Sequence, residues 1–292
     1  MSGLFKFFSF APLWVAHAFG WLLGWLAFGL SGNYRARFLD NTRQAGLSAW
    51  QWLGAVGAAG KQIAELPRLW FGKPVNVIWD GAQHIEAAHA AGRGIVLLTP
   101  HLGSFEITAQ AYAQRFGQSI HPLTVLFRPP RKAWLMDLVT NARRRPGLHT
   151  APTSLAGVKQ MIKALKKSEC VGLLPDQVPP AGQGIWSPFF GRQAYTMTLA
   201  VRMALQTRAV VLLIWGERLS WGRGYRVCVS PLPRVAPVQP ESKAELAAHP
   251  NLAPDLEGAV RQVNAAMEGL IRTCPSQYLW GYARYKQPKV DT

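Results

Sequence analysis

A chain of 292 residues with 49% hydrophobic and 16% charged side chains carries enough apolar surface for a substantial core, which excludes a disordered chain. Its 32 Lys plus Arg against 15 Asp plus Glu give a formal net charge of +17, so an anionic partner is expected: nucleic acid, lipid headgroups or an acidic carrier protein. The 12 Trp and 21 Pro favour the membrane among these, because Trp concentrates at the lipid–water boundary.

From Phe7 to Leu30 there is no charged residue and His17 is the only titratable side chain, a run long enough to cross a hydrocarbon core as a helix. A retained anchor, a hairpin or helix lying in one leaflet, and a cleaved signal peptide all fit such a run. Its length, its Trp content and the Arg35 and Arg37 just after it favour the anchor. Residues 1–30 are therefore assigned to a transmembrane or interfacial helix, and 31–292 to a single α/β domain. Lys6 before the run leaves its orientation weakly determined. Residues 31–72 read as helical, with Trp50, Trp52, Leu53, Val56 and Ile63 on an apolar stripe. The apolar runs 94–99, 123–127, 170–174 and 209–215 predict buried strands, and 103–116, 131–145, 154–167 and 254–272 predict helices between and after them. Residues 225–229 alternate and predict an antiparallel strand near an edge; the Pro-rich stretch 231–254 predicts a surface connector. Continuous apolar strands separated by helices predict a mostly parallel central sheet flanked by helices. The three widely spaced cysteines, Cys170, Cys228 and Cys274, show no CxxC and read as thiols of a reducing compartment, not as a disulfide framework or zinc site.

His101 falls just beyond the carboxyl end of strand 94–99, where open α/β sheets gather their sites. Imidazole exchanges a proton near neutral pH and can take one from a hydroxyl. Glu106, in the first turn of the next helix, is placed to bond one ring nitrogen and orient the base. Gly103 and Ser104 are candidate oxyanion donors through their backbone N–H groups. The plainer alternative is a strand-capping His and a first-turn carboxylate favoured by the helix dipole. A serine hydrolase lacks support, because no G-x-S-x-G elbow occurs. Nucleic-acid binding lacks a helix-turn-helix, zinc or aromatic-sheet signature, although a basic, non-catalytic membrane protein stays open.

Several blocks, in order, resemble the bacterial late lipid A acyltransferase family, the lauroyl and myristoyl transferases. They are His101-Leu-Gly-Ser-Phe-Glu106, Phe127-Arg-Pro-Pro130 with a helix ending in Arg143, Leu174-Pro-Asp-Gln177, Pro188-Phe-Phe-Gly191 with Ala194 and Thr196, and Pro275-Ser-Gln-Tyr-Leu-Trp280 with Arg284, Tyr285 and Lys286. The resemblance implies transfer of a fatty acyl chain from an acyl-carrier-protein thioester to a hydroxyl of a lipid A precursor, at the cytoplasmic face of a Gram-negative inner membrane. It implies no metal, cofactor or acyl-enzyme, with His101 as base and Glu106 as its orienter. Arg128, Arg131, Asp176 and Gln177 become candidate substrate contacts, Arg because its fork suits phosphate. Asp176 equally suits a loop cap, Arg143 to Arg145 a solvated basic face, and Lys159, Lys163, Lys166 and Lys167 either a carrier-protein dock or solvent. Pro100 stands where glycerol-phosphate acyltransferases usually carry Asn, and Glu106 replaces their usual Asp, which lowers but does not remove a lysophosphatidic acid or ornithine-type acceptor.

Overall fold

The computed structural model describes residues 2–117, 121–127, 133–143, 145–233, 249 and 251–289. Among them a seven-stranded sheet runs β1 (Val77–Asp80), β9 (Tyr225–Pro231), β8 (Val210–Arg218), β2 (Ile95–Leu98), β5 (Cys170–Leu173), β3 (Leu123–Phe127) and β4 (Leu148–Pro152) from edge to edge. Only the β8–β9 pair is antiparallel. The antiparallel strand expected at 225–229 is β9, one place in from the edge that β1 forms.

Strand β2 shows why its sequence is apolar throughout. Its side chains alternate between faces, and both faces are covered. Val96 and Leu98 join one core with Met161 of α9 (Leu155–Lys166), Val201 of α10 (Leu199–Thr207) and Val263 of α11 (Leu256–Thr273). Ile95 and Leu97 join a second core with Ile85 of α6 (Gln83–Ala90) and Ile107 of α7 (Phe105–Tyr112). The expected mostly parallel sheet between helices is the architecture observed.

The N-terminal run is two helices, not one. Pro12 separates α1 (Ser2–Ser9) from α2 (Leu13–Leu30), and α2 is long and apolar enough to cross a membrane. It buries Leu13, Ala16, His17, Gly20 and Gly24 and leaves Trp14, Phe19, Trp21, Leu22 and Leu26 exposed. The expected helical stretch 31–72 is α3 (Gly32–Gln44), α4 (Ala49–Ala64) and α5 (Leu66–Phe71). The apolar stripe divides: Val56 is buried, while Trp50 is 89% and Ile63 68% exposed. The buried face of α4 is Ala55, Val56, Gly57, Ala58 and Gly60, because α2 packs backbone to backbone against it. A Cβ on Gly60 would lie 1.9 Å from the Gly20 carbonyl oxygen.

Glu65, at the end of α4, joins this helical pair to the sheet. Its carboxylate accepts two bonds of 2.8 Å from Arg218 of β8, one of 3.0 Å from Tyr225 of β9, and pairs at 3.1 Å with His17 of α2. The sequence reading missed β1, α6, β4, α10 and the hairpin β6–β7 (Gly184–Phe189, Arg192–Met197). Of the predicted connector 231–254, only 231–233, 249 and 251–254 are described, and His249 is buried there against the Ala209 carbonyl. The thiols of Cys170, Cys228 and Cys274 are free.

Candidate active site

Strands β2 and β5 are parallel neighbours, with Leu98 opposite Leu173. Each ends before a proline that cannot extend the ladder, Pro100 and Pro175, and the residue after that proline turns over the carboxyl edge. Those residues are His101 and Asp176, and equal offsets on neighbouring strands bring them together. Asp176 Oδ1 lies 2.7 Å from His101 Nδ1, and Oδ2 accepts the His101 backbone N–H at 2.8 Å. Tyr278, from the segment after α11, donates its hydroxyl to Oδ2 at 3.1 Å. Burial pushes the Asp176 carboxyl up, but the His101 charge and hydrogen bonds outweigh it, with help from Arg284, and hold it below the ordinary carboxylate range. An ionised Asp176 can only accept, so Nδ1 carries the proton and Nε2 presents its lone pair, to which the Gln177 amide donates at 3.0 Å.

The orienting contact that the spacing assigned to Glu106 is thus made by Asp176. Glu106 sits in the first turn of α7, and its carboxylate bonds to Arg143 and Trp70. Arg143, at the end of α8 (Ala133–Arg143), reaches its two oxygens at 3.0 and 3.4 Å, and the Trp70 indole donates at 3.0 Å. The Arg143 guanidinium also lies 5.1 Å from the Phe127 ring centroid. A further correction concerns the oxyanion candidates. The Gly103 N–H donates to the Gln277 carbonyl at 3.0 Å and the Ser104 N–H to the Gly216 carbonyl at 2.7 Å, so neither is free for a reacting oxygen. Gly103 has φ +58°, and its turn presses on Gly216, which leaves no room for a side chain at either position.

His101, Glu106, Arg143 and Gln177 line one cavity of about 560 Å³, in the size range of small-molecule sites. Its remaining walls are largely apolar, with Leu97, Val125, Val139 and Leu173 among them. Asp176 does not line it: the carboxylate is buried and bonded to the imidazole. Arg128 and Arg131 lie outside the described residues. Arg145 donates to the Leu69 and Trp70 carbonyls and holds α5 in place, so it is not a solvated basic residue. Lys159, Lys163 and Lys166 are exposed on α9, and Lys167 is exposed just after its end.

Sequence reasoning singled out the blocks that hold Tyr278, Glu106 and Arg143 but had no means of pairing these residues or of finding Trp70, because the partners are far apart in the chain. The His101–Asp176 pair did leave a signal: two apolar strands, each succeeded by Pro and then an ionisable residue.

The family described as bacterial lipid A biosynthesis acyltransferase matches residues 56–287. The chain is 28% identical over 208 residues to a lipid A biosynthesis acyltransferase of Haemophilus influenzae, covering 68% of this chain and 56% of that protein's length. It is 27% identical over 234 residues to the lipid A biosynthesis lauroyltransferase of Escherichia coli K12, covering 78% and 69%. With the palmitoleoyltransferase of lipid A biosynthesis from the same organism it shares 23% over 236 residues, covering 79% and 70%. A match that runs from α4 to beyond Arg284, and takes in every residue of the His101 cavity, places this chain in the bacterial lipid A biosynthesis acyltransferase family.

Proposed function

We propose that the chain moves a fatty acyl group from an acyl-carrier-protein thioester to a hydroxyl of an anionic lipid A precursor. The observation that carries this reading is the Asp176–His101 pair, its unprotonated Nε2 facing a largely apolar cavity. The acceptor hydroxyl takes the place of the Gln177 amide at Nε2 and gives up its proton there as its oxygen attacks the thioester carbonyl carbon. Asp176 stabilises the imidazolium that forms. The tetrahedral oxyanion is met by the released Gln177 amide, a donor already in the cavity. Collapse breaks the carbon–sulfur bond, and the imidazolium returns its proton to the leaving thiolate. No acyl-enzyme is needed.

Glu106 acts at one remove, holding Arg143 at the cavity wall where a cation can face the phosphates of the acceptor. Residues 31–292 then act as one acyltransferase domain, and α1 and α2 hold it at the cytoplasmic face of the inner membrane. The exposed aromatic and leucine side chains of α2 support that placement.

The test is a reconstituted assay in detergent with acyl-carrier-protein thioester and either lipid A precursor or lysophosphatidic acid, read by mass. Mass gain on the lipid A precursor, lost in His101→Ala, is expected. Gain on the glycerolipid alone rejects the acceptor, and undiminished transfer by His101→Ala rejects the mechanism.

A further inference from the structure

A second cavity, of about 760 Å³, shares no lining residue with the one His101 faces. It lies between α2, α4 and the turn after β8, with Ser276 and Gln277 closing one side. Trp14 and Trp21 of α2 form one wall. Trp221 forms another: it is 89% exposed and has φ +60°, a conformation that a bulky residue adopts only when its surroundings hold it there. The hold is Gly222, packed so closely on the Trp14 backbone that a Cβ there would fall 2.4 Å from the Trp14 nitrogen. The turn is therefore fixed against the start of α2.

Two cations line this aromatic cavity. Arg218 is buried and uses Nε and Nη2 on Glu65, but its Nη1, also buried, has no hydrogen-bond partner among the described residues. The side chain of Lys61 of α4 makes no ion pair or hydrogen bond among the described residues either. Glu65 offsets one of the two charges through its ion pair with Arg218, and with its two oxygens engaged by Arg218, His17 and Tyr225 it forms no ion pair with Lys61. A buried charged donor without a partner is rare in a folded protein and marks a place where a ligand or ion completes the bonding. The net positive charge left by Arg218, Lys61 and Glu65, together with the orphaned Nη1 donor, favours an anionic ligand. Leu22 continues the lining onto the exposed apolar face of α2, so an apolar chain can run outward from the cations.

We propose that this cavity binds the phosphate of an anionic phospholipid between Arg218 and Lys61, with the first carbons of its acyl chains against Trp14, Trp21 and Trp221. The lipid is held beside α2 as a fixed constituent of the membrane-facing surface. This does not rest on the acyl-transfer reading, since no residue of the catalytic cavity takes part.

Native mass spectrometry of the full chain in a non-ionic detergent tests it, after titration with phosphatidylglycerol or phosphatidylcholine. Wild-type protein is expected to retain phosphatidylglycerol about fivefold more than phosphatidylcholine, because the choline cation opposes the site's charge. Arg218 itself is a poor target, as its loss leaves Glu65 buried and unpaired. Lys61→Gln keeps the side chain's reach and lowers phosphatidylglycerol retention about tenfold. Trp221→Ala, at an exposed position, lowers retention of both lipids, while His101→Ala leaves it unchanged. Equal retention of the two lipids, or wild-type retention by Lys61→Gln, overturns the proposal. Complete displacement of phosphatidylglycerol by inorganic phosphate alone also overturns it, by showing a site for a free anion and not for a lipid.

Discussion

Two carboxylates stand near the reacting centre, and their partners separate their roles. Asp176 touches the imidazole, is buried behind it and is ionised at neutral pH. Asp176→Asn keeps the shape but offers an amide where a charge stood, so the favoured tautomer turns over and kcat falls by about 10³-fold or more with KM little changed. Steady-state kinetics on a variant with an unaltered circular dichroism spectrum check this. Glu106 touches Arg143 and Trp70, not the base. Glu106→Gln therefore acts mainly through the cation it positions, and a rise of about 10- to 100-fold in KM for the acceptor is expected, with a smaller effect on kcat. Equal losses of kcat in both variants would mean that the carboxylates share one role. The chain's blocks pointed to both residues and implied Glu106 as the orienter, whereas the folded chain sets Asp176 on the imidazole. Glu106 is the nearer in sequence; Asp176 is the nearer in space because β5 lies beside β2.

The helical elements depend on close approach and on one buried charge cluster. Gly60→Ala puts a methyl group into the Gly20 carbonyl and must push α2 from α4, a loss of about 1–3 kcal/mol in unfolding free energy. Chemical denaturation in detergent reads it directly. The Glu65 cluster gives α2 and the sheet a pH-dependent joint. Burial alone would raise the Glu65 carboxyl, but Arg218 and His17 outweigh it and hold it down to about 2 from an ordinary 4.5. A carboxyl held lower in the folded state lends stability that is complete above its unfolded value and lost as pH falls through its folded one. For this fully buried group the effect is roughly 3 kcal/mol, spread between about pH 4.5 and about pH 2. Glu65→Gln leaves Arg218 buried without its counter-charge, costs about 3–5 kcal/mol near neutrality and removes that part of the acid transition. Thermal unfolding measured against pH shows both. At this scale the strongly apolar strands and the helix 154–167 were legible from residue pattern alone, whereas which face of α4 is buried was not. Of its apolar stripe Val56 is buried while Trp50 and Ile63 are exposed, and the small residues Ala55, Gly57, Ala58 and Gly60 make up the rest of the buried face.

For the molecule as a whole, under the proposed membrane placement, a net charge of +17 and an exposed aromatic helix would act on the lipid surface by different physics. Charge attraction to anionic vesicles is screened within about 10 Å at moderate salt, while apolar contact is not. Salt near ~0.5 M should therefore weaken binding to phosphatidylglycerol vesicles without abolishing it, as flotation measures. Combining Trp14→Glu, Phe19→Glu and Leu22→Glu on the exposed face of α2 should release most of the protein at that salt. Retention of the triple variant would move the lipid contact elsewhere on the molecule.

Residue order alone dictates the fold class, the place of His101 at a strand's carboxyl edge and the apolar N-terminus. Each of these is local: a run of apolar residues between Gly and Pro must be buried on both faces, and the residues just beyond it must emerge at the sheet edge. The family blocks extended that reading to a reaction. Which carboxylate bonds the base, which backbone donors are already taken and which face of α4 is buried became fixed only in the folded arrangement. These depend on strand order and on contacts such as Gly103 with Gln277, between residues distant in the chain. No periodicity or spacing encodes such pairings, because they arise from the way the whole sheet and its helices close upon one another.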